Sequence, residues 1–124
     1  AQKDLLIFGN DYPTPDGTAI RDYVHVMDVA EAHVMALEHI DEKIGHQKFN
    51  LGSGRGVSVL ELVRSFEAAT KLEIPIRYCE RRKGDLPEFY ADCSKAGELL
   101  NWRSKRSLDE MCSSAWNVNK RQHD

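Results

Sequence analysis

The chain has 124 residues, of which 41% are hydrophobic and 30% charged, the composition of an ordinary globular domain with one modest core. Seventeen basic and twenty acidic residues give a net charge of -3, and the basic residues are scattered outside the run at 81–83, so no nucleic-acid partner is predicted. No apolar run approaches the roughly 18 residues of a spanning helix, which argues against a membrane protein. Three cysteines without a C-x-x-C pair favour reduced thiols in a cytoplasmic protein.

The first part of the chain predicts a strand, a loop, a second strand and a helix. The apolar run at residues 5–8 ends in a Gly-Asn-Asp turn and predicts the first strand, and a loop with two prolines follows it. β-Branched and aromatic side chains at residues 23–26 predict the second strand. Asp28, with Glu31 three residues later, predicts a capping box that opens a helix. Apolar side chains fall on two stripes of this helix, so we expect it to be covered on more than one side.

A glycine-rich turn lies in the middle of the chain, after a short strand predicted at residues 48–51. Its three glycines, at 52, 54 and 56, invite a dinucleotide-binding interpretation, but the fingerprint G-x-G-x-x-G requires a glycine where Val57 stands. A tight turn from strand to helix is therefore favoured over a phosphate site. Ser58 and Glu61 predict a second capping box, which opens an amphipathic helix.

The last part of the chain predicts one strand and two helices. Pro75 favours an edge or a first position for the strand predicted at residues 74–79. Asp92 predicts the cap of a short helix, and a third capping box at residues 107–110 opens a last helix before a polar tail at 120–124. Strands and helices thus alternate, which predicts an α/β fold with at least one parallel pair of strands. Because so few short strands make a poor sheet, we expect apolar surface to pack on a portion outside this chain.

Metal and nucleophilic chemistry have little support in the sequence. The five histidines are too far apart for a ligand set, and His25, in an alternating strand, is interpreted as structural. No G-x-S-x-G motif occurs, and no base stands next to a cysteine. Cys93 and Cys112 are interpreted as small apolar residues, and Trp102 and Trp116 as core or interface anchors.

The segment at residues 81–90, RRKGDLPEFY, carries the strongest candidate chemistry. Arginine matches phosphate oxygens two at a time, so Arg82 here and Arg21 at the start of a predicted strand can clamp a diphosphate from two sides. Asp85 can accept the two hydroxyl protons of a ribose. A solvated charged loop that joins two elements is the alternative, and these residues alone leave both interpretations open.

Longer segments resemble one known family. The stretch from 7 to 38, IFGNDYPTPDGTAIRDYVHVMDVAEAHVMALE, is similar to the signature of UDP-glucose 4-epimerases, which are extended short-chain dehydrogenases. FNLGSGRGVSVLELV at 49–63, RRKGDLPEFYADCSKA at 81–96 and LNWRSKRSLDEM at 100–111 resemble the same family in the same order. The resemblance covers nearly the whole chain, which makes it far more specific than one short motif.

The resemblance implies a homodimeric, cytoplasmic enzyme of galactose metabolism that uses NAD to interconvert UDP-glucose and UDP-galactose. Its Y-x-x-x-K and G-x-x-G-x-x-G motifs do not occur in this sequence, so the resemblance implies that both precede residue 1. No catalytic, cofactor-binding or metal-binding residue is then expected in this chain. Residues 1–124 would form the small C-terminal substrate-binding domain, with elements that pack on an N-terminal Rossmann domain.

The resemblance also implies the contacts with the substrate. Leu6 and Phe8 would offer backbone hydrogen bonds to uracil, Arg21 and Arg82 would hold the diphosphate, and Asp85 would hold the ribose. These roles agree with the chemistry of each side chain. Binding energy from the UDP moiety can position the hexose without distinguishing its two faces, which suits an enzyme that accepts both epimers.

Phe89 departs from the tyrosine of bacterial relatives. The position lies near the sugar pocket in the family, so a large ring there should disfavour N-acetylated hexoses.

Alternative functions are another nucleotide-sugar short-chain enzyme, such as a 4,6-dehydratase or a decarboxylase, and a UDP-sugar-binding module without catalysis. A protein fused to a mutarotase is a further possibility that the resemblance leaves open.

Overall fold

The computed structural model describes residues 3–41 and 45–123, except for the side chain of His123. Short strands alternate with helices, which confirms the predicted α/β class. None of the helices in these residues is long and apolar enough to cross a bilayer. In chain order the elements are β1 (Leu5–Phe8), β2 (Ile20–Arg21), α1 (Val26–His39), β3 (Val57–Ser58), α2 (Val59–Thr70), β4 (Ile76–Cys79), α3 (Ser94–Leu100) and α4 (Leu108–His123).

The described strands form two small sheets. β1 and β4 pair in parallel, from Leu5 opposite Ile76 to Phe8 opposite Cys79, as the alternation of elements predicts. Pro75 lies just before β4, where its missing N–H is harmless, and its carbonyl accepts a hydrogen bond from the N–H of Leu5 at 2.8 Å. The second sheet is an antiparallel pair of two-residue strands, β2 and β3, which the sequence did not predict.

The start of α1 differs from the prediction. Residues 23–26 do not form a strand, and the helix begins at Val26 with His25 as its N-cap. The Nδ1 atom of His25 accepts the N–H of Met27 at 3.0 Å, so the imidazole caps the helix where the sequence predicts the carboxylate of Asp28. Asp28 lies inside the first turn and is fully buried, and Glu31 forms an ion pair with Arg106, so the predicted capping box is wrong.

Other local predictions are a mixture of right and wrong. The capping boxes at Ser58 and Ser107 are confirmed. Each serine Oγ accepts the N–H of the glutamate three residues later, Glu61 or Glu110, and that glutamate's carboxylate accepts the N–H of the serine. The strand at 48–51 is absent from the described sheets. Cys93, not Asp92, is the N-cap of α3, although Asp92 accepts the N–H of Ser94 at 3.0 Å. The expected tail is helical through residue 123, and Asp124 lies outside the described residues.

The core lies between helices. Ala32 of α1 packs with Ala96, Leu100 and Trp102 at the end of α3, and the indole Nε1 donates to the carbonyl of Asp28 at 2.8 Å. Trp102 is thus the core anchor that the sequence predicts. α2 and α4 pack on each other elsewhere, through an edge-to-face contact between Phe66 and Trp116 with ring centroids 6.1 Å apart.

One stripe of α1 remains exposed. Ala32 is buried against α3, whereas Leu37 is 69% exposed on the other stripe. The predicted coverage on two sides is therefore met on one side by the described residues. Large apolar side chains that are more than half exposed on or next to this helix are Val26, Val34, Leu37 and Ile40.

Candidate functional site

The segment at residues 82–91 lies along β2 and is held there by backbone hydrogen bonds. The N–H of Ile20 donates to the carbonyl of Pro87 at 2.8 Å, and the N–H of Phe89 donates to the carbonyl of Ile20 at 3.0 Å. These two bonds make a parallel bridge between Ile20 and Glu88. Because Ile20 also pairs with Ser58 of β3, the segment is attached to a hydrogen-bonded pair of strands.

Arg21 binds the same segment through its side chain. Its Nη1 donates to the carbonyl of Leu86 and to that of Ile20, both at 2.8 Å. These bonds fix the guanidinium against the segment. Among the described residues, no hydrogen bond involves its Nε or Nη2, so the donors of these two atoms have no protein partner there.

Arg82 and Asp85 form an ion pair across a tight turn. Nε of Arg82 lies 2.9 Å from Oδ2 of Asp85, and the N–H of Asp85 donates to the carbonyl of Arg82 at 3.3 Å. Gly84 has φ +90°, which a side chain would strain, so the glycine permits this turn. The guanidinium also lies 5.0 Å from the ring centroid of Phe8. The Arg82 side chain is 62% exposed, so the ion pair is weak and open to exchange with a ligand.

The edge of β1 that has no partner among the described strands, its free edge, carries the backbone groups of Leu6 and Phe8. In a strand, the N–H and C=O groups of successive residues point to opposite sides. The N–H groups of Leu5 and Gly9 donate to the carbonyls of Pro75 and Cys79, at 2.8 and 2.9 Å. Odd-numbered residues therefore face β4, and the polar groups of Leu6 and Phe8 face away from it. A planar donor and acceptor group can pair there as an additional strand would.

The predicted site residues are thus partly brought together. Phe8, Arg82 and Asp85 form one contacting group, and Leu6 lies two residues earlier on the same strand. Arg21 joins the group indirectly, through the carbonyl of Leu86. The N–H of Phe89 bonds to the carbonyl of Ile20, and its side chain is 63% exposed.

Arg81 has a different role from its neighbour. Its Nε lies 2.8 Å from Oδ1 of Asp11, its Nη2 donates to the Asp11 carbonyl at 2.6 Å, and its guanidinium stacks 4.2 Å from the ring centroid of Tyr12. These contacts tie the turn after β1 to the end of β4. The two adjacent arginines of the sequence therefore differ: Arg81 bonds to a distant turn through Asp11, whereas the more exposed Arg82 pairs with Asp85 of its own turn.

The glycine-rich turn binds an internal anion. The carboxylate of Asp22 accepts the Ser53 N–H at 2.8 Å, the Ser53 hydroxyl at 2.7 Å, the Gly54 N–H at 3.0 Å and the Ala91 N–H at 3.2 Å. Burial raises the pKa of Asp22, but these hydrogen bonds outweigh burial and hold the pKa below its ordinary value of 3.8. No local pattern in the sequence marks Asp22, because its partners are 31 to 69 positions away.

The same bonds answer the question of a phosphate site at this turn. The N–H groups of Ser53 and Gly54 are directed at Asp22 and that of Arg55 at the Ser53 hydroxyl, so these three are not available to cradle the phosphates of a nucleotide. A Cβ at Gly52 would lie 2.4 Å from Oδ2 of Asp22, which explains the glycine without a ligand. The turn therefore does not fit a cofactor, and the favoured interpretation of a tight turn is the one that the contacts support.

Comparison with known proteins gives a consistent result. A family model described as GDP-mannose 4,6 dehydratase matches residues 1–115. UDP-glucose 4-epimerase of Bacillus subtilis (strain 168) is 50% identical over 114 residues, which are 92% of this chain and 34% of that protein. A bifunctional UDP-glucose 4-epimerase and UDP-xylose 4-epimerase 3 of Arabidopsis thaliana is 53% identical over 116 residues, 92% of this chain and 33% of that protein. The chain thus spans about a third of the length of these curated relatives.

Solved structures agree with the curated relatives. The crystal structure of UDP-glucose 4-epimerase from Bifidobacterium longum in complex with NAD+ and UDP superposes with a TM-score of 0.92 at 42% identity, over 98% of this chain and 36% of that one. The UDP-Glc/GlcNAc 4-epimerase of Campylobacter jejuni superposes with a TM-score of 0.83 at 36% identity, over 97% of this chain and 36% of that one.

Proposed function

Because this chain belongs to the family described as GDP-mannose 4,6 dehydratase, and its relatives at about 50% identity are UDP-glucose 4-epimerases, we propose that it is the UDP-sugar-binding portion of such an epimerase. The family resemblance noted in the sequence is confirmed by these relatives. Residues 1–124 would then be the C-terminal part of a longer enzyme of the isomerase class. This proposal extends to the whole enzyme, of which the chain spans about a third.

The observation that carries the proposal is the attachment of the segment 82–91 to β2. Arg21 of β2 donates to the carbonyl of Leu86, and this segment also carries Arg82 and Asp85. Two guanidiniums and a carboxylate therefore converge on one short stretch of backbone. Convergent, differently charged groups on a fixed loop are the composition expected for a nucleotide diphosphate site.

Each part of UDP has a proposed partner in this arrangement. Arg21 and Arg82 would hold the diphosphate, with charge-assisted hydrogen bonds to its oxygens. When a phosphate replaces Asp85 as the partner of Arg82, the Asp85 carboxylate would accept hydrogen bonds from the two ribose hydroxyls. The backbone of Leu6 and Phe8, on the free edge of β1, would pair with the donor and acceptor groups of uracil.

The sugar would lie beyond the diphosphate, next to Phe89. We propose that the whole enzyme interconverts UDP-glucose and UDP-galactose, in the Leloir pathway of galactose metabolism. The sugar would be oxidised at C4 to a 4-keto sugar, with its hydride passing to NAD and its hydroxyl proton to a base in the N-terminal domain, and both would then return, the hydride to the other face. A structure of a relative that contains both NAD+ and UDP supports this pairing of cofactor and substrate. NAD would be bound mainly by the N-terminal domain, and the enzyme would act in the cytoplasm as a homodimer.

The experiment that tests this function is a titration of the full-length enzyme with UDP. Arg82→Ala should weaken the binding of UDP by roughly 1.5 to 3 kcal/mol, the scale of hydrogen bonds to charged groups. Lys83→Ala removes the same charge from the adjacent exposed residue and serves as the matched control. An Arg82→Ala enzyme that binds UDP as tightly as the Lys83→Ala enzyme would remove Arg82 from the site.

A 4,6-dehydratase is the second candidate, because the family model takes its description from such an enzyme. The two reactions give different products, since a dehydratase forms a 4-keto-6-deoxy sugar and releases water. Analysis of the products from UDP-glucose by NMR separates them. Formation of UDP-galactose would support the epimerase. Formation of a 4-keto-6-deoxy sugar would show that the enzyme is a dehydratase instead. The isolated chain of residues 1–124 should turn over neither UDP-glucose nor UDP-galactose. Measurable turnover would contradict the proposal that the catalytic residues lie outside this chain.

A further inference from the structure

We propose that Asp22 is a positioning residue for UDP binding, which locks the segment 82–91 in the geometry that the proposed function requires. The inference rests on that function. Three consecutive residues hold this segment: Ile20 by its backbone, Arg21 by its guanidinium and Asp22 by its carboxylate.

Asp22 holds the C-terminal end of the segment 82–91. Ile20 and Arg21 bind it between Leu86 and Phe89. Beyond Phe89, the N–H of Ala91 donates to Oδ2 of Asp22 at 3.2 Å, and this is where the segment leaves β2. Among the described residues, this carboxylate is the acceptor for that N–H, and the next attachment is the bond from Sγ of Cys93 to the carbonyl of Gly52 at 3.4 Å. Loss of the carboxylate would therefore release the Ala91 N–H and loosen the short stretch between Phe89 and Cys93.

The carboxylate is itself fixed from the opposite side. Two N–H groups and one hydroxyl of the turn at 53–54 donate to it, so it is held by the glycine-rich turn before it binds Ala91. Gly52 allows this approach, because a Cβ there would lie 2.4 Å from Oδ2 of Asp22 and 3.0 Å from Cβ of Ala91. Asp22 therefore joins three stretches of chain at one point. Preorganised groups bind a ligand more tightly because they lose less conformational freedom on binding.

The test measures UDP affinity in the full-length enzyme with Asp22→Asn. The amide keeps the size of the side chain but replaces one acceptor oxygen by a donor that faces N–H groups. We expect the dissociation constant of UDP to rise about tenfold. Asp92→Asn is the matched control: Asp92 is exposed, lies one residue beyond Ala91 and bonds only to Ser94 among the described residues. Its dissociation constant should equal that of the unmodified enzyme.

Two further measurements separate positioning from general stability. Amide exchange followed by mass spectrometry should become faster in the peptide that covers 86–91 of Asp22→Asn, while the peptide that covers β1 exchanges as before. In a double variant with Arg82→Ala, the loss of affinity should be smaller than the product of the two single losses, because both act through the same segment. A folded Asp22→Asn enzyme with unchanged UDP affinity would overturn the inference. A double variant whose loss of affinity equals the product of the two single losses would also overturn it.

If Asp22→Asn does not fold, Ser53→Ala decides. It removes one hydroxyl donor to the carboxylate and leaves the two N–H donors in place. We expect a rise of about twofold to threefold in the dissociation constant, and no change would count against the lock. An unmodified enzyme that fails to bind UDP would instead refute the proposed function, and the exchange rate of 86–91 would still decide whether Asp22 holds the segment.

Discussion

Asp28 and Arg106 form an ion pair, 78 positions apart in sequence, in which the carboxylate is completely buried. Nη1 of Arg106 lies 2.5 Å from Oδ1 of Asp28. The other carboxylate oxygen accepts the N–H groups of Lys105 and Arg106, both at 3.0 Å. Nη2 of Arg106 also binds Glu31 at 3.0 Å. The first turn of α1 is thereby joined to the segment that precedes α4.

Loss of the Asp28 charge should destabilise the protein strongly. Asp28→Asn leaves Arg106 and two partly buried N–H groups without their anion, so we expect a loss of about 3 kcal/mol in the free energy of unfolding. Chemical denaturation followed by circular dichroism measures it. Asp92→Asn, at an exposed carboxylate, should leave stability nearly unchanged. Equal stability of the two variants would show that the ion pair contributes nothing.

The stability should also depend on pH through the same carboxylate. Burial raises the pKa of Asp28, but hydrogen bonds from Arg106 and Lys105 and the Arg106 charge outweigh burial and lower the pKa below 3.8. The unfolded state then binds a proton more readily than the folded state, so stability falls as the pH drops below 3.8 and through the folded pKa. Unfolding curves recorded at successive pH values should show a shallower decline in Asp28→Asn. An identical decline would assign the effect to other groups.

Two glycine substitutions should have opposite effects. Gly52→Ala puts a Cβ 2.4 Å from Oδ2 of Asp22, so it should destabilise the fold. Gly97→Ala is the matched control inside α3, where the nearest atom would be 3.8 Å away. Because alanine favours a helix more than glycine does, Gly97→Ala should stabilise the protein by about 0.5 to 1 kcal/mol. Thermal unfolding measures both variants, and an unaffected melting temperature in Gly52→Ala would contradict the close packing around Asp22.

The choice of sugar should respond to Phe89. Its ring is 63% exposed, so Phe89→Ala should change the stability of the fold by no more than about 0.5 kcal/mol. In the full-length enzyme, the variant should accept UDP-N-acetylhexosamines, because the smaller side chain leaves room for the acetamido group. Leu99→Ala, which removes an exposed apolar side chain from α3, is the control. If Phe89→Ala still excludes N-acetylated sugars, the restriction lies elsewhere.

Features that depend on near neighbours along the chain could be predicted from the sequence. The capping boxes at Ser58 and Ser107 use a side chain and a backbone N–H three residues apart, so their chemistry is visible in the sequence. β1, the position of Pro75 before β4 and the burial of Trp102 likewise follow from local composition. The family resemblance also lies in contiguous stretches, which is why the fold class was predictable.

The partner of each polar side chain could not be predicted, because it depends on how distant segments pack. Asp28 and Glu31 have the spacing of a capping box, yet both bind Arg106, because the segment before α4 brings a guanidinium and two N–H groups to the start of α1. Asp22 gives no local signal and becomes an anchor once the turn at 53–54 and Ala91 approach it. β2 and β3 are too short to be stable alone and exist only as partners in a pair. A carboxylate takes the donors that folding brings near it, and that choice depends on contacts between distant parts of the chain.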